Sequence, residues 1–258
     1  MLAHLERLIE ARTVEDIWAL HCDRMADYGF DRLLYGFTRF RTAHSFGNIE
    51  DTLILSNHHP DYLRAFLDGG IFNHAPMVRW AADNQGACSW RWVEQQAHAG
   101  KLTQAERKVQ ELNLRYGIRA GYSISFPEQS GRAKGAIGLC AREGLFQHDV
   151  EEIWQSHGRE IFVLNTLTHL RISSMPFATA RRALTSRQRE VLEWVGDGKT
   201  TADIAIIMGL TVATVEKHLR LAREALDVDT TAQAVLKASF QNQIFLSSSQ
   251  EVPVGIRR

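Results

Sequence analysis

Apolar residues recur every three to four positions through most of the chain, and the breaks in that rhythm outline its elements. Leu5, Leu8 and Ile9 share one face of a predicted helix over 2–11. Thr13 followed by Asp16 caps a second over 14–28, which Gly29 stops. Aromatic and branched residues then dominate 33–40 and 52–56, which read as strands. Pro60 starts a helix that runs to about Leu67 and is broken by Gly69-Gly70, and Pro76 starts another short one. Thr103 with Glu106 is a capping box opening a helix over 104–116, closed by Gly117. Residues 121–126 and 134–141 form a hairpin pair across the turn-rich 127–132. From Gln147 to Arg171 runs one long helix, with Val150, Ile153, Trp154, His157, Ile161, Leu164, Leu167 and Leu170 on its apolar side.

Beyond residue 184 the pattern is wholly helical. Thr185 with Gln188 is a second capping box, and Val191, Leu192 and Val195 follow on one face until Gly198. Thr200 or Thr201 caps a short apolar helix over 203–208, ended by Gly209. Thr211 caps a third helix, in which Val212, Val215, Leu219, Ala222 and Leu226 recur at helical spacing. Thr230 or Thr231 caps a fourth, with Ala234, Val235, Ala238 and Phe240. Two helices joined by a Gly-Leu-Thr turn, the second bearing Lys217, His218, Arg220 and Arg223, have a helix-turn-helix layout. Spacing alone also fits a small four-helix bundle with no nucleic-acid role. The predicted class is α+β: an N-terminal α-β-α sandwich over 1–172, a linker over 173–183 and an all-α four-helix domain over 184–246. The polar tail over 247–258 is expected to be disordered.

Composition narrows the classes. Among 258 residues 45% are apolar and 23% charged, an ordinary globular mixture. No apolar run approaches 18 residues and no signal-peptide pattern is present, so no membrane association is expected. Cys22, Cys88 and Cys140 are scattered without C-x-x-C spacing, which argues against a disulfide framework or a zinc site and for a reducing cytoplasm. The formal net charge is zero, unusual for a DNA binder. Positive charge is local instead, at Arg181, Arg182, Lys217, Arg220 and Arg223. Weak non-specific affinity and reliance on dimerisation follow, since phosphate neutralisation supplies most non-specific binding. No G-x-S-x-G, H-E-x-x-H or G-x-x-x-x-G-K motif occurs, so no enzyme, cofactor or metal is expected. His58-His59 read as surface or loop histidines, and Gly135 and Gly138 as positions that relieve crowding in a strand. A phosphorylation-controlled regulator would need an aspartate ending a central strand, and the predicted strand ends Phe40, Ser56, Phe126 and Ala141 offer none. The rival from another class is a small-molecule-binding protein whose C-terminal helices are an interaction module.

The residues themselves go further. Leu-Thr-x-Arg-x-x-Glu-Val-Leu at 184–192, Gly-Lys-Thr at 198–200, Asp-Ile-Ala at 203–205 and Thr-Val-x-x-His-Leu at 214–219 resemble the DNA-binding domain of LuxR-type transcription regulators. Gln188 stands where the family usually has Glu, which preserves the capping hydrogen bond but not its charge. Glu216, Lys217 and Arg220 lie on the exposed side of the third helix, opposite Val215 and Leu219, and are expected to meet base edges of double-stranded DNA, while Thr211, Thr214, His218 and Arg223 are expected to meet its phosphates. Two-fold operator binding implies a homodimer. Its contacts are expected along the helix over 147–171, with a smaller one at 231–240.

Residues 73–92 and the run Gly-Ile-Arg-Ala-Gly at 117–121 are similar to the family's autoinducer-binding domain. The resemblance places a ligand pocket at Tyr62, Phe66, Ala75, Trp90 and Gly121. Ala75 stands where the family has Asp, whose carboxylate accepts the amide N–H of an acyl-homoserine lactone. Losing such a charge-assisted bond costs about 1.5–3 kcal/mol, and His74 and Asn73 are the nearby residues that could replace it. The expected signal is apolar or aromatic: an acyl-homoserine lactone, a different ligand, or none in a ligand-independent regulator. An Asp at 75 would then be an unpaired carboxylate in an apolar cavity and is expected to destabilise the protein.

Overall fold

The caps legible in the chain are formed in the computed structural model, which describes residues 1–42, 45–176 and 183–245. The described chain divides into two compact units, Met1–Ser173 and Ser174–Arg258. Arg181, Arg182, most of the expected linker and the expected tail over 247–258 lie outside the described residues.

The first unit opens with α1 (Leu2–Glu10) and α2 (Val14–Asp27), the latter capped by Thr13, whose hydroxyl accepts from Asp16 N at 3.0 Å. Then come β1 (Phe30–Thr38), β2 (Leu53–Ser56), α3 (Pro60–Leu67) and α4 (Pro76–Asp83). β3 (Gly86–Ser89), α5 (Arg91–His98), α6 (Gln104–Arg115), β4 (Gly121–Ser125), β5 (Lys134–Ala141) and α7 (Gln147–Ser173) complete it. β3, α5 and the 3-10 turns Ile49–Asp51 and Ile71–His74 are additional to the elements read from the chain. β3 is a four-residue edge strand with no alternation of buried and exposed positions. β1 also starts and stops earlier than its aromatic run suggests, because its limits follow its partner β5, from Phe30 opposite Ala141 to Thr38 opposite Lys134.

The sheet is antiparallel in the order β2-β1-β5-β4-β3. Its register sorts side chains by size. Leu33, Tyr35, Phe37, Ile124, Ile137 and Leu139 share one face, where α2 and α7 pack. Gly36, Ala136, Gly138 and Ser123 are aligned on the other face, and their small side chains leave space beneath α3, α4 and α6.

α7 departs from the expected amphipathic pattern. Val150, Ile161, Leu164 and Ile172 are buried, but so are Asn165, Thr168 and His169, while Leu167 and Leu170 are exposed together with Val163. The buried face is therefore partly polar, and its polar groups are satisfied. His21 Nε2 donates to Asn165 Oδ1 at 2.9 Å, and its Nδ1 accepts from the Thr168 hydroxyl at 3.0 Å. His169 lies 2.8 Å from the Tyr35 hydroxyl and 2.9 Å from Glu128, stacked on Phe126. A Cβ on Gly135 would meet the His169 ring at 2.5 Å, so this glycine makes room for the imidazole.

The second unit is α8 (Ser186–Gly196), α9 (Thr201–Met208), α10 (Val212–Leu226) and α11 (Thr231–Phe240). Full capping boxes start α8 (Thr185 with Gln188), α9 (Thr200 with Asp203) and α11 (Thr230 with Gln233). Gly209 ends α9 in the left-handed conformation, at φ 64°. Val191, Leu192, Ile204, Val215, Leu219, Ala222, Leu226, Ala234 and Ala238 form one core. Val212, expected on that apolar stripe, is instead 43% exposed, because the first turn of α10 projects beyond the core.

Candidate ligand cavity and DNA-binding face

Between the small-residue face of the sheet and α3, α4 and α6 lies a cavity of about 220 Å³. Tyr62 and Phe66, one helical turn apart on α3, stack at 5.4 Å and wall one side. Trp90 walls another, its N–H donating to Ser123 Oγ at 2.9 Å. Ala75, 5% exposed, lines the cavity as the N-cap residue of α4. These four expected pocket residues are thus brought together.

Gly121 is not. It does not line the cavity but supports its wall: a Cβ there would lie 2.2 Å from Leu139 O and 2.9 Å from the Trp90 ring. Only hydrogen at this position lets the indole lie flat against the sheet. Asn73 and His74 are exposed and do not line the cavity, so neither takes the place of the missing Asp.

The polar groups that do reach the cavity come from elsewhere. His58, expected at the surface, is 9% exposed and lines the cavity, its ring 5.0 Å from that of Tyr62. Burial, with Arg32 adding, pushes its pKa down to about 4, so it is neutral near pH 7. His59 is the exposed member of the pair and caps α3, its Nδ1 accepting from Asp61 N at 3.2 Å. Glu106, legible in the chain only as a capping residue, is 8% exposed and also lines the cavity. Its carboxylate accepts from Thr103 N at 2.8 Å, Thr103 Oγ1 at 2.9 Å and Arg79 at 3.0 Å. Burial opposes its charge, but these bonds outweigh burial and hold its pKa below the ordinary value. Gln110 and Asn113 follow on the same face of α6, and Asn113 Oδ1 accepts the Tyr62 hydroxyl at 3.0 Å.

In the second unit, α10 presents Glu216, Lys217 and Arg220 to solvent, opposite the buried Val215 and Leu219. Thr211 caps the helix, accepting from Thr214 N at 3.2 Å, and the two hydroxyls lie 2.8 Å apart. His218 and Arg223 are half-buried. Two of the expected DNA-binding cations are already engaged: Arg220 pairs with Glu224 one turn on, and Arg223 donates to Thr231 Oγ1 at 3.0 Å. An exposed pair of the first kind is worth about 0.2–1 kcal/mol, so opening it opposes binding only slightly.

Comparison with known proteins adds two domain matches. Residues 13–172 match the family described as autoinducer binding domain, and residues 175–226 match sigma-70, region 4. The putative HTH-type transcriptional regulator y4qH of Sinorhizobium fredii is 28% identical over 67% of the chain, which spans about half, 51%, of that relative's length. The transcriptional activator protein LuxR of Aliivibrio fischeri is 24% identical over 73% of each chain. Among solved structures, the N-acylhomoserine lactone dependent LuxR family transcription factor CepR2 of Burkholderia cenocepacia shares the fold. It superposes with a TM-score of 0.51 at 16% identity, over 66% of this chain and 92% of that one.

Proposed function

The chain belongs to the LuxR-type transcription regulators that carry an autoinducer-binding domain, a family of regulators and not of enzymes, and on that premise we propose that it couples a small apolar signal in its first unit to operator binding by its second. The observation that carries this reading is the aromatic-walled cavity inside the segment that matches the autoinducer-binding family. Residues 1–172 are the sensor and residues 184–246 bind DNA, in the cytoplasm. Glu216, Lys217 and Arg220 contact base edges, and Thr211, Thr214, His218 and Arg223 contact phosphates.

The protein acts as a homodimer on a two-fold site. Val163, Leu167 and Leu170, exposed at i, i+4 and i+7 along α7, supply an apolar stripe for the pairing. Sedimentation in the micromolar range, with and without operator, is expected to show a dimer; a monomer in both samples overturns this part. Arg220→Ala is expected to weaken operator binding by about 1–3 kcal/mol and relax preference at one base pair of each half-site. A gel-shift series with unchanged affinity and preference refutes that assignment.

Regulation without a ligand is the second reading. Ala75 favours it, since no carboxylate stands there to receive a lactone amide, as does a cavity below the roughly 300 Å³ at which ligand pockets usually begin. Mass spectrometry of small molecules copurified with the folded protein separates the two: a stoichiometric ligand supports sensing, and operator binding by ligand-free protein supports the alternative.

A further inference from the structure

The hydrogen-bonding groups of the cavity are unevenly spent. On the sheet side the Trp90 N–H is already given to Ser123. On the α3 and α6 side the His58 imidazole and the Gln110 amide have no hydrogen-bond partner among the described residues, and Asn113 uses only its carbonyl oxygen, toward Tyr62. His58 is nine-tenths buried, so an imidazole with one N–H and one lone pair is left facing an apolar space. Such a group is costly unless something in the cavity meets it.

The surroundings restrict what that can be. His58 is held neutral, Glu94 and Glu106 also line the cavity, and the lining cation Arg119 is exposed to solvent, so an anion beside His58 meets no buried counter-charge. Glu106 is already balanced by Arg79, so a cation beside it gains little. At Ala75 the wall offers only a methyl group. A hydroxyl fits: it donates to the imidazole lone pair and accepts from the Asn113 or Gln110 amide. We propose that the cavity takes a compact, uncharged hydroxyl compound, an apolar body bearing an alcohol, phenol or enol O–H that donates to His58.

This inference rests on the reading of the cavity as the ligand site, and the test separates the two. Calorimetric titration of the full chain compares 4-propylphenol with propylbenzene, which differ only by the hydroxyl, and with N-butanoyl-homoserine lactone. The phenol is expected to bind at least about tenfold more tightly than propylbenzene, the value of one buried hydrogen bond whose loss strands its partner. His58→Phe is expected to shrink that ratio to within about twofold while propylbenzene affinity, the check on its fold, is kept. His58→Gln, which retains a donor and an acceptor, keeps the preference. Equal binding of phenol and hydrocarbon to the unsubstituted protein, tightest binding of the lactone, or an unchanged ratio in His58→Phe overturns the hydroxyl assignment alone. If none of the three probes binds, the cavity as ligand site falls with it.

Discussion

Gly121→Ala tests whether the glycine that ends the Gly-Ile-Arg-Ala-Gly run serves the ligand or the wall. The added methyl would lie 2.2 Å from Leu139 O on β5, where ordinary contact begins near 3.4 Å, so the two strands must part by about 1.2 Å. It would also press on the Trp90 ring at 2.9 Å. Neither obstacle is the free end of a flexible side chain. Overpacking of this kind costs about 1–3 kcal/mol. The shift also strains two buried bonds that hold Gly121 to Gln147, one from its N–H at 3.0 Å and one to its carbonyl at 3.1 Å, each worth about 1 kcal/mol. A loss of about 3–5 kcal/mol is expected, a large part of a typical stability of about 5–15 kcal/mol. Urea unfolding of ligand-free protein, followed by tryptophan fluorescence, measures it. Adding Trp90→Leu to the variant should recover the part due to the ring and leave the part due to Leu139 O. A loss below about 1 kcal/mol without ligand, with binding nonetheless abolished, would refute the packing role and make Gly121 a ligand contact.

Two further expectations follow from the same geometry. Ala75 is the N-cap of α4 with no side-chain cap bond, so in Ala75→Asp the carboxylate can accept from Met77 N or Val78 N, a gain of about 1 kcal/mol that offsets its burial. Against the unpaired carboxylate expected from the chain alone, the net change is expected to stay within about 1 kcal/mol, and a thermal melt showing a loss of several kcal/mol would exclude the cap. His21 is buried neutral, its pKa pushed down to about 4 by burial against the ordinary 6.5, so the unfolded chain binds the extra proton between those values. Its contribution is therefore full above about pH 6.5 and falls by up to about 1.4 kcal/mol per pH unit toward pH 4. Denaturant titrations at pH 7, 6 and 5 should show that slope and His21→Gln should flatten it; a slope unchanged in the variant rejects the assignment.

What the sequence determined by itself is local. Thr13, Thr103, Thr185 and Thr211 each announce a helix because a cap and its partner are three residues apart, and that geometry needs no distant contact. At 200/201 and 230/231 the chain offered two candidates, and the structure uses Thr200 and Thr230. The four C-terminal helices and their exposed α10 residues were legible for the same reason, since helical period alone sets Val215 and Leu219 opposite Glu216, Lys217 and Arg220. The resemblance to a known family then carried Tyr62, Phe66, Ala75 and Trp90 to one place.

The cavity and its polar lining were decided by tertiary structure. The space exists because Gly36, Ala136, Gly138 and Ser123, from three strands, fall on one face in register, and no single strand shows that coincidence. His58 is legible only as half of an adjacent pair, and its burial depends on α3 folding Tyr62 against it. Glu106 satisfies the capping rule completely, which hides its second place in the cavity wall. On α7, apolar Leu167 and Leu170 face outward while Asn165, Thr168 and His169 go inward, because His21 and Tyr35 wait there with matching hydrogen bonds. Polarity along a sequence says where water is preferred; a partner already in place across the core removes that preference.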